Sequence, residues 1–459
     1  MRITIVNPPS PPKSISNRDT MGGFGQLYSR LFGRSIIPVI DIAYVAAVLR
    51  RKAFDVNVMD AVALDLNSEE LVAALARERP QVIAIRVSTP TIRSDLVLTH
   101  KIKQAMPSAN IWLYGPHVSF YTRSLEVSAA DGLVVGEPES TFPELAEAMR
   151  SGVGFETVAG LCIRGKGGVL QTGRRRLEED LDSLPFPAWD LMPIEKYSSP
   201  YVPAKPFLTI LTSRGCPYGC IYCPYPVSQG TKWRARTAEN VIAELSWLTH
   251  DLGVKGLLFR DPTFTLDQER AKKICIGIRE RKLDVIWRCE TRPDCLTEEL
   301  LREMAQANCI GINLGIESGC EQTLKRLGRS PNTLDQAKKV RKWSKECGLS
   351  LYAFFIIGLP GEDKASVGRT VQMAKTLDPE FVQFTIATPY PGTELYRWAR
   401  SRGFVLRDWD LATGYTSIMR TENFEPDELE SLLRKAYFAY YANPKRWLRL
   451  FTLMGANYD

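Results

Sequence analysis

The sequence predicts an α/β chain with a doubly wound parallel sheet, a partial (β/α)6 barrel and a small helical C-terminal region. Its length of 459 residues suggests about three units of about 150 residues each. Short apolar runs alternate with helical patterns in two successive series, which is typical of parallel sheets. We therefore expect domains at 1–155 and 206–395, joined by a linker at 156–205 and followed by helices at 396–459.

Five apolar runs predict the strands of the first domain, at residues 3–6, 56–59, 82–85, 111–114 and 132–135. The third run is continuous rather than alternating, as in a strand that is buried on both faces. Between the second and third runs, Asn67 and Glu70 form a capping-box pattern that predicts the start of a helix. Strands and helices in alternation predict a doubly wound sheet.

A second series begins at Leu208, with strands expected at 208–212, 256–260, 285–289, 311–316, 351–357 and 381–387. Six units are fewer than the eight of a closed barrel, so we expect a partial barrel. The tail from Leu432 is aromatic and basic. Such a helix packs on its own domain, lies on a membrane surface or docks a partner; we favour packing, because Pro444 interrupts the apolar stripe.

Charge and cysteine content narrow the class of protein. Lys and Arg number 59 against 52 Asp and Glu, a net charge of +7 that is too diffuse to indicate nucleic-acid binding. Asn7 stops the first apolar run, so we expect no secretory signal, and no stretch approaches the roughly 20 residues of a transmembrane helix. Ten cysteines without a disulfide pattern indicate a reducing, cytoplasmic compartment.

Three of these cysteines, Cys216, Cys220 and Cys223, form a CxxxCxxC loop after the first strand of the second series. Three thiolates in one loop can ligate three irons of a [4Fe–4S] cluster, which leaves the fourth iron open. Zinc sites usually use paired CxxC units or histidine, and the next histidine is His250. Tyr222 lies where an aromatic ring could pack on a flat ligand. The other seven cysteines have irregular spacings, which favours buried apolar side chains over an auxiliary cluster.

Unusual residues also follow four of the five strands of the first domain. Ligands of open α/β sheets bind at the carboxyl ends of strands, so these loops indicate a large ligand, although Gly and Pro also mark ordinary turns. The candidate residues are Asn7, Pro8, Pro9, Arg86, Ser88, Thr89, Gly115, Pro116, His117, Gly136 and Glu137.

The cysteine loop resembles that of the radical S-adenosylmethionine (SAM) superfamily. Further segments are similar to motifs of its strands two to six, namely 259–264 (FRDPTF), 290–294 (ETRPD), 315–319 (GIESG), 357–362 (IGLPGE) and 389–393 (PYPGT). The loops at 7–9, 115–117 and 135–137 are similar to a Rossmann-like cobalamin-binding domain. Together they resemble the cobalamin-dependent radical SAM (class B) methyltransferases, which are related to the anaerobic Mg-protoporphyrin ester cyclases.

The resemblance implies three cofactors: a [4Fe–4S] cluster, cobalamin and SAM. It gives Cys216, Cys220 and Cys223 the catalytic and metal-binding role. It also implies that one SAM methylates an unactivated sp3 carbon by way of methylcobalamin, while a second yields the 5′-deoxyadenosyl radical. The residues that it places near the cluster or SAM are Tyr222, Asp261, Arg292, Glu317, Ser318 and Pro389.

The resemblance does not say which residue lies against the lower face of the corrin. Methionine-synthase-type domains supply a histidine from a DxHxxG motif, whereas His117 here follows Gly-Pro, so we do not assign it to cobalt. Arg86 ends an apolar strand, where a charge is costly unless it is paired. In one interpretation Arg86, or Ser88 and Thr89, lies against the lower face of the corrin. In the other, Arg86 pairs with a nearby carboxylate such as Asp60.

The resemblance leaves the substrate open. Our leading candidate is a protein side chain, such as a glutamine of methyl-coenzyme M reductase, with a flavodoxin or ferredoxin as electron donor. The alternative is a cyclase or rearrangement enzyme that acts on a tetrapyrrole or natural product without methyl transfer. A sensor module that does not turn over SAM is the third hypothesis.

Overall fold

The computed structural model describes residues 1–29, 35–165, 168–330 and 332–455. The chain divides into two compact units. The first contains Met1–Tyr197 with Val227–Gly230, and the second contains Ser198–Pro226 with Thr231–Asp459. No helix in the described ranges is both long and apolar enough to span a bilayer.

The first unit is an α/β domain. Its strands are Arg2–Asn7 (β1), Ser14–Asn17 (β2), Gln26–Ser29 (β3), Asp55–Asp60 (β4), Val82–Arg86 (β5), Asn110–Tyr114 (β6), Gly132–Val134 (β7), Leu161–Gly165 (β8) and Gly168–Gln171 (β9). Its helices are Ile40–Arg51 (α1), Ser68–Glu78 (α2), Ile92–Ala105 (α3), Pro116–Phe120 (α4) and Pro138–Ser151 (α5). Asn67 and Glu70 form the expected capping box at α2.

Seven strands form the main sheet, in the order β4-β1-β5-β6-β7-β8-β9. The first five are parallel, which confirms the doubly wound prediction. Every residue of β5 is buried, as its continuous apolar run predicts. β2 and β3 form a separate antiparallel ribbon.

The structure differs from the predicted linker at 156–205. β8 pairs antiparallel with β7, and β9 pairs with β8, so part of the predicted linker is a hairpin that extends the sheet. The hairpin covers the edge of β7, which would otherwise expose unpaired backbone groups. The unit then extends to Tyr197, whose buried hydroxyl donates a hydrogen bond to Asp60 at 2.8 Å.

The second unit contains the partial barrel. Its strands are Phe207–Ile210 (β10), Ser213–Arg214 (β11), Arg234–Ala235 (β12), Gly256–Phe259 (β13), Ile286–Thr291 (β14), Cys309–Glu317 (β15), Ser350–Ile357 (β16) and Phe381–Ile386 (β17). Most of the short helix Tyr225–Gln229 (α6) belongs to the first unit. The helices of the second unit are Ala238–His250 (α7), Gln268–Glu280 (α8), Glu298–Gln306 (α9), Glu321–Arg326 (α10), Thr333–Glu346 (α11), Lys364–Leu377 (α12), Glu394–Ser401 (α13), Pro426–Tyr441 (α14) and Pro444–Gly455 (α15). Six parallel strands run in chain order, β10-β13-β14-β15-β16-β17, as predicted.

The aromatic tail packs on its own unit through α14. The Tyr440 hydroxyl donates to the carbonyl of Pro379 at 2.8 Å, and the Tyr437 hydroxyl donates to the carbonyl of Phe384 at 2.9 Å. Arg446 and Arg449 of α15 both pair with Asp378. These contacts agree with the packing interpretation that the sequence favoured.

Candidate functional site: a thiol loop and a ring of strand-end loops

The thiol loop, residues 211–224, is fixed at its start by Asp261. This carboxylate follows β13 and is fully buried. It accepts hydrogen bonds from the amide and hydroxyl of Thr212, at 2.6 and 2.5 Å, and from the hydroxyl of Ser213 at 2.8 Å. Because hydrogen bonds to a carboxylate are among the stronger ones in proteins, Asp261 sets where the loop leaves the barrel.

The far end of the thiol loop is held by α13. The amide of Leu395, in the first turn of this helix, donates to the carbonyl of Ile221 at 2.9 Å. Thr393 caps the helix by accepting from the amide of Tyr396. Pro389 is buried in the turn before the cap. The turn after the sixth barrel strand therefore supports the cysteines through the backbone.

The three thiols of this loop are free. Burial raises the pKa of Cys216 and of Cys223, and negative charge on Cys220 raises both further. In the described part of the chain, no three His, Cys, Asp or Glu side chains converge on a single metal ion. A [4Fe–4S] cluster has a different requirement, since each thiolate binds its own iron. Three mutually repelling soft ligands without histidine fit that cluster.

Arg292 supplies positive charge beside these thiols. Its Nη1 lies 3.6 Å from the Sγ of Cys220. Its Nε and Nη2 donate to Asp294 at 2.9 and 2.7 Å, and its guanidinium carbon lies 3.5 Å from the ring centre of Tyr218. A bidentate carboxylate and a ring face hold the guanidinium in one orientation. The structure thus brings Arg292 to the cysteines.

Arg329 is a residue that the sequence analysis missed. It is more than nine-tenths buried. Its Nη2 donates to the Tyr222 hydroxyl at 3.1 Å and to Glu317, whereas Nε and Nη1 have no partner among the described residues. Unsatisfied buried donors are costly, and a guanidinium fork matches a carboxylate. Arg329 therefore offers a site for an anionic group beside the thiol loop.

Glu317 ends β15 with a φ of +73°, where pairing with β16 shifts register. This backbone region is uncommon for non-glycine residues and costs about 1–3 kcal/mol. The conformation brings the Glu317 carboxylate to Arg329. Such strain is typical of functional sites.

Ser318 connects the segments at 315–319 and 357–362. Its hydroxyl donates to Glu362 at 3.3 Å and lies 3.1 Å from the hydroxyl of Thr370. Glu362 also accepts from the amides of Gly358 and Leu359, at 3.0 and 3.1 Å. Burial raises the pKa of Glu362 to about 7, although these donors act in the opposite direction.

In the first unit, the predicted residues lie at the carboxyl edge of the parallel strands. β1 has β4 on one side and β5 on the other, so the strand order reverses there, and ligands of open α/β sheets bind at such a point. Asn7 ends β1, and its Nδ2 donates to Asp60 at 2.7 Å. Pro8 and Pro9 follow in the loop.

Arg86 ends β5 and is paired. It forms a salt bridge with Asp41 and donates to the carbonyl of Gly23 at 2.9 Å. A Cβ at Gly23 or at Gly115, whose φ is +128°, would collide with the guanidinium. The partner carboxylate is thus Asp41 rather than Asp60, which binds Asn7 and Tyr197 instead.

Thr89 and His117 bring the ends of β5 and β6 together. The Nδ1 of His117 lies 3.1 Å from the Thr89 hydroxyl, and its ring stacks on Tyr121. Burial lowers the pKa of His117 to about 3, so the imidazole is neutral near pH 7. Ser88 contributes a buried hydroxyl 2.7 Å from that of Thr91.

The loops after β6 and β7 complete this edge. Pro116 begins α4, and Glu137 precedes α5 while accepting from the amide of Glu178 at 2.9 Å. A Cβ at Gly136, whose φ is +86°, would meet open space. An open glycine rim and buried hydroxyls at a switch point fit a large flat ligand such as cobalamin.

The comparisons with known proteins agree with both halves of this geometry. Residues 210–374 match the model of the radical SAM superfamily, and residues 34–146 match that of the B12 binding domain. These matches define a cobalamin-binding radical SAM enzyme, so the predicted [4Fe–4S], SAM and cobalamin cofactors are confirmed.

Individual proteins extend the likeness to the whole chain. It is 33% identical to uncharacterized methyltransferase PH0819 of Pyrococcus horikoshii over 89% of this chain and 88% of that protein. It is 27% identical to the anaerobic magnesium-protoporphyrin IX monomethyl ester cyclase of Rubrivivax gelatinosus, over 88% of this chain and 73% of that protein. The structure of the methyltransferase TsrM from Kitasatospora setae, with cobalamin and a [4Fe-4S] cluster bound, superposes with a TM-score of 0.74 at 17% identity, covering 100% of this chain and 96% of TsrM. The chain belongs to the cobalamin-dependent radical SAM methyltransferase family.

Proposed function

We propose that this protein methylates an unactivated sp3 carbon and consumes two SAM molecules for each methyl group transferred. The observation that carries the proposal is the presence in one chain of a supported CxxxCxxC loop and a strand-end ligand site at a topological switch point. When bound, the cluster supplies an electron for cleavage of SAM, and cobalamin supplies a carrier for the methyl group.

In this proposal, the residues of the second unit hold the cluster and SAM. Cys216, Cys220 and Cys223 ligate three irons. The free N–H groups of Arg329 bind the carboxylate of SAM, while Glu317 and Ser318 line the same region. Asp261 acts indirectly, because its contacts hold the thiol loop. Pro389 lies in the turn before α13, the helix that bonds to the other end of that loop. Seating the radical precursor against the substrate is the main contribution that such a protein can make.

In the first unit, the proposed cobalamin site contains the loops that follow β1, β5, β6 and β7. Asn7, Pro8 and Pro9 form one side, and Ser88 with Thr89 form the adjacent side. Gly115, Pro116, His117, Gly136 and Glu137 extend the rim. A role for Arg86 toward the lower face of the corrin stays a prediction; its bonds to Asp41 and Gly23 support a role in shaping the loops.

Product analysis tests the proposed reaction. Reconstituted enzyme with its substrate should yield both S-adenosylhomocysteine and 5′-deoxyadenosine. Replacement of Cys216, Cys220 and Cys223 by Ala should remove the cluster absorption and the formation of 5′-deoxyadenosine, which needs an electron from the cluster. Full iron content in the triple variant would contradict the thiol assignment. Deoxyadenosine without methyl transfer would favour the cyclase or rearrangement alternative.

The substrate needs a separate experiment. The proposed class is a protein side chain, for example a glutamine of methyl-coenzyme M reductase, with a flavodoxin or ferredoxin as reductant. The net charge of +7 is compatible with a protein partner. Incubation of cell extract with the enzyme and methyl-deuterated SAM should label a protein; a label found solely in small molecules would contradict this class.

A further inference from the structure

A buried arginine, Arg18, connects two of the loops assigned above to cobalamin. It lies between β2 and β3 and has no exposed surface. Its Nη1 donates to the Oδ1 of Asn7 at 3.0 Å and to the carbonyl of Pro8 at 2.8 Å. Its Nη2 donates to Asp95 at 2.9 Å and to the Thr91 hydroxyl at 3.3 Å. One guanidinium thus bonds to the loop after β1 and to the start of α3, which follows β5.

The partners of Asp95 extend this connection to the second loop. Its carboxylate accepts from the Thr91 hydroxyl at 2.6 Å and from the amide of Ser88 at 3.3 Å. The Ser88 and Thr91 hydroxyls are 2.7 Å apart. The Arg18–Asp95 pair therefore fixes both rims of the switch point between β1 and β5.

The backbone of the segment between β2 and β3, residues 18–25, is also attached to the main sheet. Arg86 donates to the carbonyls of Arg18 and Gly23, at 3.2 and 2.9 Å, and the amide of Thr89 donates to the carbonyl of Phe24 at 2.8 Å. The backbone of Arg18 is therefore also anchored to the end of β5, in addition to the side-chain bonds that Arg18 makes to the loop after β1.

Burial of this pair has an energetic cost. Desolvation lowers the pKa of Arg18 and raises that of Asp95, which means that burial disfavours both charged forms. Buried ion pairs often contribute little net stability compared with apolar replacements. The contribution of the Arg18–Asp95 pair is therefore to hold the loops after β1 and β5 in position rather than to add stability.

We propose that Arg18 is a positioning residue for cobalamin, because it fixes the separation of the loops after β1 and β5 before the cofactor binds. The inference rests on the proposed assignment of these loops to cobalamin.

Equilibrium binding of hydroxocobalamin to the full-length, cluster-reconstituted protein tests it. Arg18→Met combined with Asp95→Asn removes both charges and so avoids leaving one of them buried without a partner. We expect the double variant to bind at least about tenfold more weakly, or about 1.4 kcal/mol, with wild-type iron content. Arg18→Lys keeps the charge but not the fork and should fall between. Affinity within twofold of wild type in a folded double variant would overturn the proposal.

Two further variants separate the possible failures. Arg164→Met is the matched control, since Arg164 also donates to backbone carbonyls, those of Leu125 and Ser128 before β7, and it should bind cobalamin normally. Gly136→Asn tests the loop assignment, because Asn tolerates positive φ and its side chain enters the open rim. If Gly136→Asn weakens binding and the Arg18 variants do not, the inference about Arg18 fails alone. If neither affects binding, the loop assignment fails.

Discussion

Arg292 places a positive charge 3.6 Å from the Sγ of Cys220 and is itself held by Asp294 and the ring of Tyr218. The potential of an iron–sulfur cluster depends on its net charge and on hydrogen bonds to its sulfur atoms. A fixed cationic donor at a ligand sulfur favours the reduced cluster, because that state carries the additional negative charge. Arg292 is therefore expected to raise the reduction potential.

Arg292→Gln should lower the midpoint potential of the cluster, measured by a redox titration followed by electron paramagnetic resonance. Arg292→Lys retains the charge without the bidentate contact to Asp294 and should have an intermediate potential. Arg302→Gln is the control, since Arg302 forms an exposed ion pair with Glu298 and should leave the potential unchanged. An Arg292→Gln protein with full iron content and wild-type potential would contradict this role.

Arg329 has two buried donors without a partner in the described chain, and the carboxylate of SAM would satisfy them. Hydrogen bonds to charged groups contribute about 1.5–3 kcal/mol each. Arg329→Gln should therefore weaken SAM binding by at least about tenfold, measured by equilibrium dialysis. Methylthioadenosine, which lacks the carboxylate, should bind the variant and the wild type equally. An equal loss for both ligands would indicate a general disturbance of the pocket instead.

At the scale of elements, the turn from β16 into α12 is organised by one carboxyl group. Glu362 accepts from the amides of Gly358 and Leu359, and Gly358 has a φ of +85°. Burial raises the pKa of Glu362 from 4.5 to about 7, and the adjacent Asp363 adds to this shift. The folded chain therefore binds a proton here that the unfolded chain releases between these pH values.

The stability that Glu362 contributes is present below about pH 4.5 and is lost as pH rises through about 7, by about 3 kcal/mol in total. Glu362→Gln should remove this part of the pH dependence, measured as the difference from wild type in the free energy of unfolding by urea at pH 5 and pH 8. Glu422→Gln is the matched control, because Glu422 accepts from Gly361 in the same turn but is exposed. An unchanged pH profile for Glu362→Gln would refute this assignment.

The elements also show what sequence patterns can predict. Continuous apolar runs predicted the parallel strands, and local chemistry at Asn67 and Glu70 predicted the start of α2, because these signals lie within a few residues of each other. The hairpin of β8 and β9 was missed because its pairing with β7 joins segments that are far apart in sequence. Arg18 and Arg329 were missed for the same reason, since each also pairs with a residue far away in sequence, Asp95 and Tyr222 respectively.

At the scale of the whole molecule, each of the two compact units has its own hydrophobic core. Leu75 on α2 and Leu300 on α9 are both fully buried, the first in the cobalamin unit and the second in the barrel unit. Truncation of a buried leucine to alanine costs about 2–5 kcal/mol. A ligand present at 100 times its Kd stabilises the unit that binds it by about 2.7 kcal/mol.

Calorimetry of the full chain should therefore show two unfolding transitions that respond separately. Leu75→Ala should lower the temperature of one transition and Leu300→Ala that of the other, which assigns each transition to its unit. Hydroxocobalamin should then raise the transition that Leu75→Ala lowers, whereas cluster reconstitution should raise the other. A single transition that both variants and both cofactors shift equally would show that the two units unfold as one cooperative structure. Because Arg18 and Asp95 are proposed to position the cobalamin loops of the first unit, Arg18→Met with Asp95→Asn should reduce the cobalamin shift without affecting the shift caused by the cluster.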